Sequence, residues 1–470
     1  MKKIPANSLN RRSFLKRSAF AAGAVAMPLI VPARLFGADA PSNRIRVGQI
    51  GCGRIATVHD MPGVIKSELA DYVACCDLDS KRLATGKEFI KSNTKNPSPP
   101  EITTYGDYHE LIARKDIDAV VISLPDHQHA QVALTAIHGA KDVYLQKPFT
   151  MTHEESVLLR DTVMKSDRIL QVGSQQRSWG PDKAYPEGEQ FRKGCELVRS
   201  GRVGKLKAVE IGLPIDPTET DPPEQPVPAN LNYDVWLGPA PKVYYTEDRV
   251  HPQNSVTDRP GWLRNEAHCL GMITGWGAHH FDTAHWGMNL EHSGPSKVEG
   301  KAEFPANKIW NVHGAYHVEL TYPGDIKMTV SDKLPNGIKF IGDQGWIFVS
   351  RGAQQVSASD PAISSGGLKP LDASDPKLLD PKGLTVELPH SIEHHLNWLQ
   401  CVKSRKTPLA PADIAHYSNT ACIVSWISMK LARPLTWDTA RQKFINDDAA
   451  NAMLSRPERA PYGAIRNFKA

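Results

Sequence analysis

The chain has 470 residues, of which 40% are hydrophobic and 23% are charged, a composition typical of a globular protein with two or three domains. Residues 1–40 hold seven of the 56 Lys and Arg residues and one of the 51 Asp and Glu residues, so the net charge of +5 becomes −1 beyond residue 40. That balance argues against nucleic-acid binding, and seven scattered cysteines without a CxxC pair argue against a disulfide framework and a zinc–cysteine site.

The N-terminus has the pattern of an export signal. The segment Arg11–Lys16 (RRSFLK) fits the twin-arginine pattern, an apolar stretch follows it, and Ala38–Ala40 offers a cleavage point. The apolar stretch contains Pro28 and Pro32 and is short for a membrane span. We expect residues 1–40 to be a twin-arginine signal peptide and the protein to be periplasmic or otherwise exported. An uncleaved anchor is the alternative.

From residue 43, short and nearly continuous apolar runs alternate with segments of helical length. The apolar runs are 45–51, 71–77, 117–125, 141–148 and 169–175. Strands that are buried on both faces of a parallel sheet have this composition. The alternation predicts an α/β fold with an N-terminal Rossmann domain, a doubly wound parallel sheet, at 43–165 and a C-terminal α+β domain at 166–465.

The first apolar run leads into a glycine motif. Gly51-Cys52-Gly53-Arg54-Ile55-Ala56 is G-x-G-x-x-A between a predicted strand and a predicted helix. The glycines allow a tight turn and close approach to a pyrophosphate, and the helix N-terminus favours the negative charge. We expect Gly51, Gly53, Arg54 and Ile55 to bind a dinucleotide. A purely structural glycine turn is the alternative.

The second apolar run ends at Asp77, 26 residues after Gly51. A carboxylate at this distance is placed to bind a ribose hydroxyl. It favours NAD over NADP because it repels a 2′-phosphate, although Lys81 and Arg82 leave NADP open.

Two further strand ends carry polar residues. Pro125, His127 and His129 follow the run at 117–125, where a cofactor binds in open parallel sheets. Packing and cofactor contacts are the favoured interpretation of the histidines over a metal site. Lys147 follows the run at 141–148, so its ammonium can bind a hydroxyl or keto oxygen and stabilise charge there during hydride transfer.

Beyond residue 205 the pattern predicts a mostly antiparallel sheet. Alternating runs recur between 297 and 350, and two irregular excursions interrupt the domain at 214–262 and 353–390. The first excursion is either a linker or a substrate wall formed by its aromatic residues, which are Tyr233, Trp236, Tyr244 and Tyr245.

The segment 271–288 predicts a helix on which His279, Asp282 and Trp286 share one face. A histidine there can exchange a proton with a sugar hydroxyl, because its ordinary pKa lies near working pH. A helix of satisfied, half-buried histidines is the alternative.

Taken together, these motifs resemble the glucose–fructose oxidoreductase, inositol dehydrogenase and rhizopine-catabolism (Gfo/Idh/MocA) family, especially its exported bacterial members. The resemblance covers nearly all of residues 44–465 and includes DAVVISLPDHQHA, KDVYLQKP, GWGAHHFD and HHLNWLQCVKSRKTP. It implies a Rossmann domain and a C-terminal domain whose open sheet carries the substrate side and often forms a homo-oligomer.

The resemblance also implies site residues. Lys147 and His279 correspond to the family's catalytic residues, and Gln146, Gln175 and Arg177 lie where the family contacts cofactor or substrate. Two positions depart from the family pattern: Gln146 replaces the glutamate of Glu-Lys-Pro, and Gly275 replaces the aspartate of Asp-x-x-x-His.

The resulting hypothesis is an exported NAD(P)-dependent oxidoreductase of a sugar, polyol or glycoside that retains its cofactor and recycles it in place. Redox-assisted glycoside cleavage and a non-catalytic carbohydrate-binding protein are the alternatives. No metal site is expected.

Overall fold

The computed structural model describes residues 43–178, 189–352 and 364–469. The predicted signal peptide and the first part of the excursion at 353–390 lie outside these residues. Across the described ranges, no helix is both long enough and apolar enough to cross a membrane.

The N-terminal half contains a six-stranded parallel sheet in the order β3-β2-β1-β4-β5-β6. Its strands are β1 (Ile45–Ile50), β2 (Ala70–Cys76), β3 (Thr103–Tyr105), β4 (Ala119–Ile122), β5 (Asp142–Leu145) and β6 (Leu170–Val172). Five coincide with the apolar runs, and all residues of β4 and β5 are buried. The sixth, β3, is short and largely exposed, which explains why it has no apolar signal.

Helices follow most of these strands. They are α1 (Met61–Ile65), α2 (Ser80–Asn93), α3 (Tyr108–Ala113), α4 (His129–His138) and α5 (His153–Lys165). Side-chain caps define several starts: Asp79 accepts N–H groups of α2, and Thr152 and Glu155 form a capping box on α5. A wider, π-helical turn (Ala56–Asp60) precedes α1.

The C-terminal half contains a nine-stranded sheet in the order β13-β12-β11-β7-β10-β9-β8-β14-β15. Its strands are β7 (Leu206–Gly212), β8 (Lys297–Ala302), β9 (Tyr316–Tyr322), β10 (Ile326–Ser331), β11 (Gly337–Gly342), β12 (Gly345–Val349), β13 (Leu371–Ala373), β14 (Leu435–Asp438) and β15 (Lys443–Phe444). Only β7 and β10 pair in parallel among the strands of this sheet that the structure describes. The predicted α/β fold class, with a mostly antiparallel second sheet, is confirmed.

The helices of the C-terminal half are α6 (Gln190–Arg199), α7 (Tyr233–Leu237), α8 (Met272–Gly275), α9 (Gly277–Met288), α10 (His394–Ser404), α11 (Ala412–Leu431), α12 (Asp448–Ala452) and α13 (Ala464–Phe468). Of these, α6, α8, α9, α11 and α12 share a large core with this sheet, whereas α7, α10 and α13 contribute to other cores. Every residue of α9 is buried. The helices α8 and α9 are therefore fixed rigidly under the sheet.

The two halves interlock rather than follow one another as separate units. The strand β6 lies beyond residue 165, at which the sequence analysis placed the boundary, and its Gln171 bridges to Pro411. His416 of α11 shares a hydrogen bond with Ser156 of α5 at 2.9 Å. The C-terminal segments thus position side chains on the strand ends of the first sheet.

Candidate active site

The turn after β1 has the geometry that a dinucleotide needs. Gly51 has a φ of +87°, and a Cβ there would lie 2.4 Å from the carbonyl oxygen of Ser123, so only glycine fits. A Cβ at Gly53 would meet only Nη1 of Arg82, at 3.4 Å. The chain becomes helical at Arg54, and the N–H groups of a first helical turn have no intrahelical partner. The turn therefore offers backbone donors to a pyrophosphate.

Asp77 lies beside this turn, directly after β2. Its Oδ2 accepts the N–H of Cys52 at 2.7 Å, and its Oδ1 accepts the N–H of Asp79 at 2.8 Å. Burial raises the pKa of Asp77, and these two hydrogen bonds oppose the rise. Each carboxylate oxygen keeps a lone pair that can accept a ribose hydroxyl.

The guanidinium of Arg82, a cation close to Asp77, is hydrogen-bonded to backbone carbonyl groups. Its Nη2 donates to the carbonyl oxygens of Pro252 and Ser255 at 3.0 and 3.1 Å. These contacts hold the guanidinium with its Nη1 beside Gly53, so the preference for NAD rests on the carboxylate of Asp77. The glycine turn and Asp77 together fit a bound NAD.

Lys147 lies at the end of β5, and its carbonyl joins Pro148 through a cis peptide bond. Its Nζ donates to the carbonyl oxygen of Gly275 at 3.1 Å. Gly275 ends α8, one turn before His279 in α9. The structure thus brings the two predicted catalytic residues close together, and Lys147 binds the backbone carbonyl of the glycine that replaces the aspartate.

His279 is only 6% exposed. Burial lowers its pKa well below the usual range, and the charges of Arg351 and Lys147 lower it further. The expectation that its pKa lies near working pH is therefore wrong, because the sequence shows neither the burial nor the cations. Within the described residues its Nδ1 is buried and has no hydrogen-bond partner.

Asp126 is a buried acid that interacts electrostatically with Lys147 and that the sequence analysis did not select. It follows Pro125 at the end of β4 and is 3% exposed. Burial raises its pKa to about 7, against the opposing charge of Lys147. A carboxyl group with this pKa can both give and take a proton at neutral pH.

Gln146 contacts the protein rather than the open crevice. Its Nε2 donates to Oδ1 of Asp60 at 2.7 Å, and its Oε1 accepts the N–H of Lys147 at 3.3 Å. The side chain is 3% exposed. It therefore supports the turn that carries Lys147.

The histidines after β4 also bind backbone. His129 is fully buried, with Nδ1 2.7 Å from the carbonyl oxygen of Pro148 and Nε2 2.9 Å from that of Leu124. His127 Nε2 lies 3.0 Å from the carbonyl oxygen of Trp236. These contacts favour packing over metal binding, and they make His129 a support of the Lys147 turn instead of a cofactor contact. Pro125 is half-buried beside them.

Gln175 and Arg177, which follow β6, have different surroundings in the fold. Gln175 is half-buried, and its Nε2 donates to the hydroxyl of Tyr144 at 3.3 Å, which leaves it near the strand ends. Arg177 is 3% exposed and binds Asp282 through Nε and Nη2 at 2.6 and 2.9 Å. Its Nη1 donates to Glu291 at 2.7 Å. The guanidinium thus lies in a buried ion cluster under α9, which does not favour the predicted cofactor contact.

The excursion at 214–262 is neither a plain linker nor a visible substrate wall. Tyr233, Trp236 and Tyr245 are buried in a small core of their own. Tyr244, which is half-buried, donates its hydroxyl to the carbonyl oxygen of Pro222 at 3.2 Å. The excursion also pairs with the chain after β2, where Asp79 bridges to Leu231.

Two family models match the chain. The model described as an oxidoreductase family with an NAD-binding Rossmann fold matches residues 45–174. The model of the C-terminal alpha/beta domain of the same oxidoreductase family matches residues 217–351 and 372–464. Together they cover most of the chain.

Relatives give a compatible picture. The chain is 26% identical over 162 residues to an inositol 2-dehydrogenase of Salmonella typhimurium, covering 34% of this chain and 43% of that protein. It is 28% identical over 213 residues to a glycosyl hydrolase family 109 protein of Shewanella pealeana, covering 42% and 44%. The chain thus spans less than half the length of these curated relatives.

Among solved structures, the aldose-aldose oxidoreductase of Caulobacter crescentus superimposes with a TM-score of 0.55 at 16% identity. The superposition covers 84% of this chain and 99% of that one. At this identity the similarity establishes the shared fold.

Proposed function

This chain belongs to the Gfo/Idh/MocA oxidoreductase family, and on that premise we propose that it is an NAD-dependent oxidoreductase acting on a CH–OH group of a sugar, polyol or glycoside. The observation that carries the proposal is the contact between Nζ of Lys147 and the carbonyl oxygen of Gly275, one turn before His279. It joins the end of β5 to the end of α8, directly before α9, at the edge of the sheet that carries the glycine turn.

Bound NAD would accept a hydride from the carbon that bears the reacting hydroxyl. Lys147 is placed to donate a hydrogen bond to that oxygen and to stabilise negative charge on it. The Gly275 carbonyl orients the ammonium without neutralising it, whereas an aspartate at position 275 would pair with it.

In this proposal, two groups act on the hydroxyl proton of the substrate: His279 and Asp126. His279 stays neutral, so it binds and orients the hydroxyl but is a weak base. Asp126, whose pKa burial raises to about 7, has the proton affinity that a general base or acid needs. We assign the proton transfer to Asp126 and the orientation of the substrate to His279.

The predicted twin-arginine signal extends the proposal to location. Free nicotinamide cofactor is not expected outside the cytoplasm, and the twin-arginine pathway carries folded proteins. We propose that the protein is exported with NAD bound and regenerates it in place, by reducing a second substrate or by restoring a transiently oxidised hydroxyl. Mass spectrometry of nucleotide released on denaturing the exported protein should show one dinucleotide per chain.

The central test is Lys147→Met compared with Lys115→Met, which removes an exposed lysine. Turnover on a panel of sugars and polyols should fall roughly 100- to 1,000-fold in the first variant, the loss expected when a charge-stabilising donor is removed. It should be unchanged in the second. Full turnover by Lys147→Met would reject the proposed function, and bound sugar without turnover in the unmodified protein would favour the carbohydrate-binding alternative.

Redox-assisted glycoside cleavage remains a second candidate because of Asp126. An acid with a pKa near 7 can remove a proton beside a transient ketone and later return one. The resemblance to a glycosyl hydrolase family 109 protein supports it. Release of aglycone without net change in NADH absorbance would distinguish cleavage from net oxidation.

A further inference from the structure

A buried carboxylate lies directly behind the turn that carries Lys147. Asp60 ends the π-helical turn after the glycine motif and is fully buried. Its Oδ2 accepts the hydroxyl of Ser123 at 2.6 Å, and its Oδ1 accepts Nε2 of Gln146 at 2.7 Å. The carboxylate thus joins the ends of β4 and β5.

The same carboxylate reaches a histidine from the far end of the chain. His395 of α10 donates from Nε2 to Oδ1 of Asp60 at 3.0 Å and from Nδ1 to Oε1 of Glu393 at 2.8 Å. Both ring nitrogens face carboxylates, and both can donate only if the ring is an imidazolium. Asp60, His395 and Glu393 therefore form a buried chain of alternating charge.

Packing fixes this arrangement. The ring of His395 stacks on Tyr144 of β5 at a centroid distance of 4.4 Å. Gly63 makes room for it, because a Cβ at that position would lie 2.2 Å from Nδ1 of His395. Glu393 is anchored in turn, since its Oε2 accepts the N–H of Leu396 at the start of α10.

This geometry explains the amide at position 146. A glutamate there would place a second carboxylate at hydrogen-bond distance from Asp60, in a site closed to solvent, and like charges at that distance repel strongly. Gln146 has the same shape but donates a hydrogen bond to Asp60. It still offers Oε1 to the N–H of Lys147.

We propose that Asp60, held by His395 and Glu393, carries the negative charge that the family motif places in the residue before the lysine, and that it positions the Lys147 turn. Asp60 is thus a positioning residue for the reaction under Proposed function, on which this inference rests. In this proposal the negative charge lies on Asp60, which is hydrogen-bonded to Gln146, instead of on residue 146 itself.

The test is a charge exchange between the two positions. Gln146→Glu alone should lower kcat roughly 10- to 100-fold, the loss typical for residues that orient a site residue. Asp60→Asn alone should lower it by a similar factor, because an amide nitrogen would face Gln146. In the double variant the new amide at position 60 can donate to the new carboxylate at position 146 and to a neutral His395, and it can accept from Ser123. We therefore expect kcat to recover to within about threefold of the unmodified protein.

Multiplicative losses of kcat in the double variant would overturn the proposal. The urea midpoint should show the same loss and recovery, and that measurement does not depend on catalysis. The imidazole NMR signals of His395 should show a charged ring at pH 7 in the unmodified protein and a neutral one in Asp60→Asn. Full turnover by Lys147→Met would reject the proposed function while leaving the midpoint and NMR results to decide this inference.

Discussion

Two buried aspartates, Asp60 and Asp79, tie distant segments to opposite ends of the Rossmann sheet edge in different ways. Asp60 binds His395, 335 residues away, behind the Lys147 turn. Asp79 lies next to Asp77, the residue proposed to bind the ribose, and we call this region the ribose end. Asp79 binds the excursion through Asn230, His251 and Gln253 at 2.8, 3.0 and 3.1 Å.

The partners differ in kind. Asp60 accepts from a hydroxyl, an amide and an imidazolium, whereas Asp79 accepts side-chain donors together with the N–H groups of Lys81 and Arg82, as the cap of α2. Both carboxylates face a histidine at 3.0 Å. The difference is that His395 lies between two carboxylates, Asp60 and Glu393, whereas Asp79 also caps a helix and binds two amide side chains of the excursion.

Removing each carboxylate should give the largest contrast. We expect Asp60→Ala to lower the free energy of unfolding by about 3–5 kcal/mol, because it leaves the His395 charge buried without one partner. Asp79→Ala should cost about 2 kcal/mol, because the lost cap costs about 1 kcal/mol and the part-buried donors of Asn230 and Gln253 can bind water instead. Urea unfolding measures both, with the half-exposed Asp116→Ala as a control expected within about 1 kcal/mol. Equal losses at the two sites would contradict the distinction.

The next largest effect is expected in the pH dependence of the free energy of unfolding, which should differ between the Asp60 end and the Asp79 end. Burial disfavours a charged His395, but Glu393 and Asp60 outweigh it and raise its pKa to about 9. A raised pKa means that the stabilisation is complete below the ordinary value near 6.5 and is lost as pH rises through 9. The loss should be on the order of 3 kcal/mol.

The stability that Asp79 contributes at the ribose end should depend on pH in the opposite direction. Burial also disfavours ionised Asp79, but hydrogen bonds from His251, Asn230 and Gln253 hold its pKa below the usual range. Its contribution is present above about pH 4 and is lost in acid. Glu393, with a pKa lowered to about 2 by His395, also loses its contribution in acid. Only alkaline titration therefore isolates the Asp60 end.

Chemical unfolding from pH 7 to 10 in the unmodified protein and in His395→Gln measures this effect. Only the unmodified protein should lose the extra stability, since His59 and His394, the neighbouring histidines, are already neutral at pH 7. Parallel curves for the two proteins would show that His395 is not charged in the fold.

The comparison of Asp60 with other residues also shows which features of the fold and site could be predicted from the sequence. Five of the six strands of the first sheet, Gly51 and the position of Lys147 follow from local apolar runs and motif spacing. Asp126 lies within a segment that the sequence drew attention to, yet its shifted pKa depends on burial that only the fold shows. The contact of Asp60 with His395 has no local signal, and no spacing rule joins residues so far apart.

Arg177 is an example of a residue for which the sequence suggested a role that the fold does not favour. Its place after β6 favoured a cofactor contact, but Asp282 and Glu291, more than 100 residues later, bind its guanidinium. The excursion was ambiguous for a related reason. Its aromatic residues are spaced irregularly, so the small core around Trp236 becomes evident only when the loop is folded.

The smallest expected effect concerns the hold of the excursion on the ribose end. Gln253→Ala removes one of the side-chain donors to Asp79, whose own N–H binds Asp77. Losing one such hydrogen bond costs about 1 kcal/mol, so NAD should dissociate roughly fivefold faster. Stopped-flow displacement of bound NADH measures the rate, and Gln344→Ala, on the exposed hairpin between β11 and β12, is the matched control. An unchanged rate in Gln253→Ala would mean that the excursion braces α2 without influencing the cofactor, and the ribose end would then depend on Asp77 and the glycine turn alone.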